Sequence, residues 1–181
     1  MKKRTVKDFW IEMSIREIWT QAHFAELAYK NIDPKANNPT DAVFSSIHSF
    51  LSHCSMVSKM LKAKFDQTST TFIGDVLVIS VTSIIHNRKF RNSLEHYDRE
   101  LKKWILDKGV RASIGTYNIG PKLMIQIPNM VFVSHYDPNN YTYTFVDEDT
   151  NLKILYQEVL RIKNTADTWV KTLEASNRSI F

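Results

Sequence analysis

Four stretches of this chain repeat apolar residues at helical spacing, and a shorter region before the last alternates as strands do. Ile15, Ile18, Trp19, Ala22, Ala25 and Tyr29 predict a first helix that stops before Asp33-Pro34. Phe9 to Ser14, just ahead of it, alternates loosely and predicts a short strand. Val43, Ile47, Phe50, Leu51, Cys54, Val57 and Leu61 fall on one face of a second helix, capped by Thr40 or Asp41. Residues 62–71 are polar and predict a loop, whereas 72–80 suit helix or strand, with a short helix favoured.

Phe90, Leu94, Tyr97, Leu101, Trp104 and Ile105 predict a third long helix over roughly 84–107, capped by Thr82 or Ser83 and ended by Gly109. Glycines and prolines then punctuate short runs of strand-forming residues. Val131-Phe132-Val133 and Tyr141 to Phe145 flank Asp137-Pro138-Asn139-Asn140, the pattern of a β-hairpin. Leu152, Leu155, Val159, Ile162, Ala166, Trp169 and Leu173 predict a last helix over about 151–174, capped by Asn151 or Thr150. The expectation is one mainly α (α+β) domain over 1–181. It comprises a bundle of four to five helices, helical over 15–107, with a small antiparallel β insertion at about 111–147 before the C-terminal helix.

Composition adds limits. With 43% hydrophobic and 24% charged residues, the chain has the balance of a water-soluble domain. The longest apolar runs, such as 76–80, are too short to cross a bilayer, so no membrane partner is expected. The basic start lacks an apolar signal core, which predicts a cytoplasmic protein. Cys54 is the one cysteine, which excludes an internal disulfide and argues against a cysteine-based zinc site. His23, His48, His53, His86 and His135 form no metal-ligand pair at helical spacing, so no metal or other cofactor is expected. A formal charge of +5 leans towards a polyanionic partner.

That lean acquires detail in the third helix. Residues 86–103 carry Arg88, Lys89, Arg91, Arg99, Lys102 and Lys103 against Glu95, Asp98 and Glu100. On a continuous helix His96 would point roughly 130° from the apolar stripe, beside Asn92 and Arg99. Arginine grips phosphate through a rigid fork of donors, and histidine exchanges protons near neutral pH.

Arg91-Asn92-x-x-x-His96 on a late helix of a small bundle resembles the motif of the HEPN superfamily (higher eukaryotes and prokaryotes nucleotide-binding domain). The stretches RNSLEHYDRELKKW, YNIGP, HYDP, NLKILYQEVLRI and SIHSFLSHCSMVSKML look like those of uncharacterised bacterial proteins with HEPN-like motifs. The likeness covers roughly residues 9 to 163. It implies a metal-independent endoribonuclease of a toxin, defence or stress system, acting as a homodimer on RNA, with an antitoxin or regulatory protein as a further partner. His96 would then transfer the proton, Arg91 hold the scissile phosphate, and Asn92 orient the imidazole or touch the phosphate. Arg88, Glu95, Arg99 and Lys103 would support the site or the RNA. The rival expectation is a catalytically inactive RNA- or protein-binding module on the same scaffold. A third is a structural domain whose basic helix is merely solvated.

Overall fold

The structure, a computed structural model, describes residues 4–35, 39–87, 96–109, 113–121 and 130–178. Helix α1 spans Val6–Lys30, α2 Pro39–Leu61, α3 Ile73–Val76, α4 Tyr97–Lys108 and α5 Leu152–Arg178. A 3-10 turn covers Ile84–His86. Strands β1 (Ser113–Ile119), β2 (Met130–Asp137), β3 (Thr142–Phe145) and β4 (Glu148–Asn151) lie between α4 and α5. The layout is mainly α with an inserted sheet, as the periodicity predicts.

The short strand expected over Phe9 to Ser14 is helix instead. Thr5 Oγ1 accepts from the Asp8 N–H at 3.1 Å, and the Asp8 carboxylate accepts from the Thr5 N–H at 2.9 Å. This reciprocal cap starts α1 at Val6 and overrides the alternation that follows. Pro39 opens α2, its missing N–H costing nothing there, so Thr40 and Asp41 sit within the first turn rather than capping it. At α5 the predicted cap is present: Asn151 Oδ1 accepts from the Ile154 N–H at 2.9 Å.

The core lies where α1, α2 and α5 meet. Ile15, Ile18, Ile47, Phe50, Cys54, Leu155, Val159 and Ile162 are fully buried. Burial of each large side chain contributes about 1.5–3 kcal/mol, so this seam is the main source of stability. Lys163 of α5 reaches across to Glu26 of α1 at 2.5 Å, and Lys30 binds the same carboxylate at 2.6 Å. Tyr29 stacks on Tyr156 with ring centroids 4.0 Å apart. Within the ambiguous stretch 72–80, α3 forms a single turn, and Val78 follows it in left-handed backbone (φ 54°).

A helix running unbroken from 84 to 107 is not what forms. Ser83 Oγ accepts from Ile85 N–H and starts only a 3-10 turn, and Asn87 is already extended. His96 is non-helical (φ −128°, ψ 38°) and stands as the N-cap of α4. Gly109, at φ 72°, ends α4 as predicted, in a conformation that favours glycine.

The sheet, order β1-β2-β3-β4, is mixed rather than purely antiparallel. The predicted hairpin is there: β2 pairs antiparallel with β3, Tyr136 opposite Tyr143. β3 then turns through Val146 and Asp147 into β4. β1, however, runs parallel to β2, with Gly115 opposite Phe132. A Cβ at Gly115 would meet the Phe132 ring at 2.5 Å, so any larger residue there obliges that ring to move aside. One sheet face packs on α2, where Phe44 stacks on Tyr117 at 4.4 Å. Among the described residues no helix is long and apolar enough to cross a membrane.

Candidate functional site

Among the described residues, α4 is fastened to the sheet along one side. Tyr97 packs on Phe145, centroids 4.9 Å apart. Trp104, 5% exposed, donates its indole N–H to Asp147 at 2.9 Å, and Lys108 pairs with the same carboxylate at 2.7 Å. The opposite side of α4 faces solvent and carries Arg99, Lys102, Lys103 and Leu106.

His96 is exposed at the head of this helix. Its carbonyl accepts the Glu100 N–H at 3.0 Å and begins the helical ladder, while its side chain makes no capping hydrogen bond. Arg99 and Lys103 follow three and seven residues on, a spacing that returns them to the same side of the helix. Arg99 binds Glu100 at 3.0 Å in a solvent-exposed pair, an arrangement worth little and easily exchanged for another anion. Asp98 is exposed and adds negative charge to the first turn. The structure thus brings together three of the seven residues singled out in the sequence. Arg88, Arg91, Asn92 and Glu95 lie outside the described residues, as do Phe90 and Leu94 of the predicted apolar stripe.

Two further groupings have no counterpart in the linear pattern. On the α2 side of the sheet, the Tyr143 hydroxyl lies 3.3 Å from His48 Nε2 and 3.4 Å from Ser134 Oγ. Burial holds the Tyr143 phenol well above its ordinary range and pushes the His48 imidazole down. Ser134 is fully enclosed, so the trio anchors the sheet to α2 rather than meeting a substrate. On the other face Asn118 bonds His135 Nδ1 at 2.9 Å, and Thr144 donates to Asp149 at 2.6 Å. Cross-strand pairing makes these contacts, which no single-strand pattern announces.

Among the described residues, cavities border α5 on two sides. One of about 720 Å³ runs from Val76–Val78 along Thr165, Thr168, Trp169 and Thr172. A second, about 410 Å³, lies between Arg16, Trp19 and Thr20 of α1 and Asp167, Val170 and Lys171. Neither is lined by His96. No group of three or more His, Cys, Asp or Glu residues able to hold a metal occurs among the described residues. Cys54 is buried, and burial raises its thiol far above the reactive range.

The chain matches no family model, no curated protein and no solved structure. Its functional reading therefore rests on the chemistry of its own side chains, above all on the solvent-facing head of α4.

Proposed function

We propose that this protein is a metal-independent endoribonuclease of HEPN type, working as a homodimer. The observation that carries the reading is the position of His96. It is an exposed imidazole at a helix start, uncommitted to the cap, followed on the same side by Arg99 and Lys103. A helix N-terminus favours anions through its unsatisfied N–H groups, and the two cations add to that field.

In the proposed reaction a ribose 2′-hydroxyl attacks the adjacent phosphorus, and His96 transfers the proton. The bond to the 5′-oxygen breaks, leaving a 2′,3′-cyclic phosphate and a free 5′-hydroxyl. Arg91 neutralises the phosphate as charge develops, and Asn92 orients the imidazole or contacts the phosphate. Arg99 and Lys103, with Arg88, hold neighbouring phosphates, while Glu95 supports the imidazole.

The test is incubation of single-stranded RNA with the full chain in excess EDTA, with product ends analysed. Cyclic-phosphate ends from wild type, and none from a folded His96→Ala protein, are the expected result. Absence of cleavage by wild type, or cleavage that survives His96→Ala, overturns the proposal.

A specific observation favours a second reading. His96 lines neither of the cavities described along α5, and the outer side of α4 carries Arg99, Lys102 and Lys103 exposed to solvent, which suits binding without catalysis. In that case RNA affinity persists in EDTA without cleavage, and falls on Lys102→Ala and Lys103→Ala in a salt-dependent way.

A further inference from the structure

α1 has two apolar sides. One enters the core through Ile15, Ile18, Ala22 and Ala25. The other faces away from it and exposes Val6 (77%), Phe9 (56%), Met13 (48%), Phe24 (43%) and Leu27 (46%). A solvent-facing helix side normally carries charge. At 100° per residue these five, with Thr20, fall within a sector of about 60° along the whole helix.

Their order has a symmetry of its own. Positions 6, 9, 13, 20, 24 and 27 read the same in both directions about the midpoint between Arg16 and Glu17. A second copy of α1 laid antiparallel across that midpoint sets Val6 against Leu27, Phe9 against Phe24 and Met13 against Thr20. Each contact then occurs twice, as an isologous interface demands. In this register large apolar side chains meet one another at both ends of the stripe.

The size and rim also fit a second copy. The exposed stripe amounts to something on the order of 500 Å² per copy, so pairing buries about 1,000 Å² in total, where specific interfaces begin. Arg16 already pairs with Glu12 and Glu174, each at 2.9 Å, and Glu17 accepts from Gln21 at 2.8 Å. The midpoint charges therefore lie at the rim with partners in their own chain, and approach to their symmetry mates adds only a solvated repulsion. The neighbouring surface of α2 offers Ser49, Ser52 and Met56, exposed and uncharged, and extends the contact without opposing it.

We infer that the outer face of α1 is the interface of a two-fold homodimer, paired antiparallel across Arg16–Glu17. The inference rests on the ribonuclease reading for the existence of a homodimer and adds the surface through which the two copies meet.

Sedimentation of the full chain, with circular dichroism on each variant, tests it. Wild type is expected to be a dimer at micromolar concentrations. Phe9→Lys and Phe24→Glu, both at exposed positions, should each weaken dimerisation about tenfold or more with helix content unchanged. Combining them sets every introduced lysine against an introduced glutamate of the other copy, and should recover most of the lost affinity in a salt-sensitive manner. A parallel pairing would instead set like against like, leaving the double variant weaker than either single one. A dimer indifferent to both substitutions, or a double variant no better than the single ones, would overturn the inference and leave the homodimeric ribonuclease standing, whereas a monomeric wild type would overturn both.

Discussion

The two halves of this molecule share one core but are held with different tightness. α1, α2 and α5 close on one another through unbroken apolar stripes, from Ile15 to Ala166, that exclude water almost completely. The flank made by α4 and the sheet joins that core through fewer apolar contacts, Tyr97 on Phe145 and Tyr117 on Phe44. It adds polar fastenings such as the Trp104–Asp147 hydrogen bond, and Trp104 is the one residue of α4 that is buried. The first arrangement supplies stability and the second supplies geometry. A site residue such as His96 can therefore occupy the loosely held flank without endangering the fold.

The sharpest way to break this contrast is to cut into the helical seam. Phe50→Ala, at a fully buried position against Tyr29, should cost about 3–5 kcal/mol in urea-induced unfolding. A loss below about 1 kcal/mol would mean that the seam is not the source of stability.

Acid should strip the seam next, in two windows. Burial lowers the pKa of His48, His53 and His86 below 6.5, so the folded state resists protons that the unfolded chain accepts. Stability should therefore fall as pH drops below about 6.5. Glu26 is held at about 2, against an ordinary 4.5, first by its hydrogen bond from Lys163 and then by that from Lys30. Its contribution is present above about 4.5 and is lost as pH falls towards 2. Glu26→Gln should cost about 1–2 kcal/mol at neutral pH and flatten the lower limb, as read from denaturation midpoints across pH.

The flank should respond more weakly and more locally. Asp147→Ala removes the acceptor of the Trp104 indole and the counter-ion of Lys108, and should cost about 1–2 kcal/mol. Hydrogen exchange should quicken in α4 and leave α1 and α2 unchanged. The smallest effect belongs to His96→Ala, which should alter stability by less than about 0.5 kcal/mol because the residue is exposed and does not cap through its side chain.

The same division explains what could be read in advance. The α2 and α5 stripes were legible residue by residue, since Val43 to Leu61 and Leu152 to Ala166 bury the positions that their period singles out. The start of α1 reads as strand because the Thr5–Asp8 cap lies just outside the alternating residues. β4, with the sequence Glu-Asp-Thr-Asn, has no strand character of its own and forms because the β3 turn lays it beside a strand already in place. The parallel pairing of β1 with β2 is set by partners distant in sequence, which local pattern does not encode. Apolar spacing runs through His96 and places it in a helix interior, yet α4 takes its ladder from the His96 carbonyl onward.

The turn between β3 and β4 has a consequence of its own. Val146 and Asp147 both adopt positive φ, 42° and 70°, while the Asp147 carboxylate receives an indole and an ammonium. Left-handed backbone, a short-range acceptor and a negative charge are thus demanded of one position. Asparagine meets the first two demands, glycine only the first, and aspartate all three. Position 147 is accordingly a bottleneck for variation, and any tolerated exchange there should go hand in hand with changes at 104 or 108.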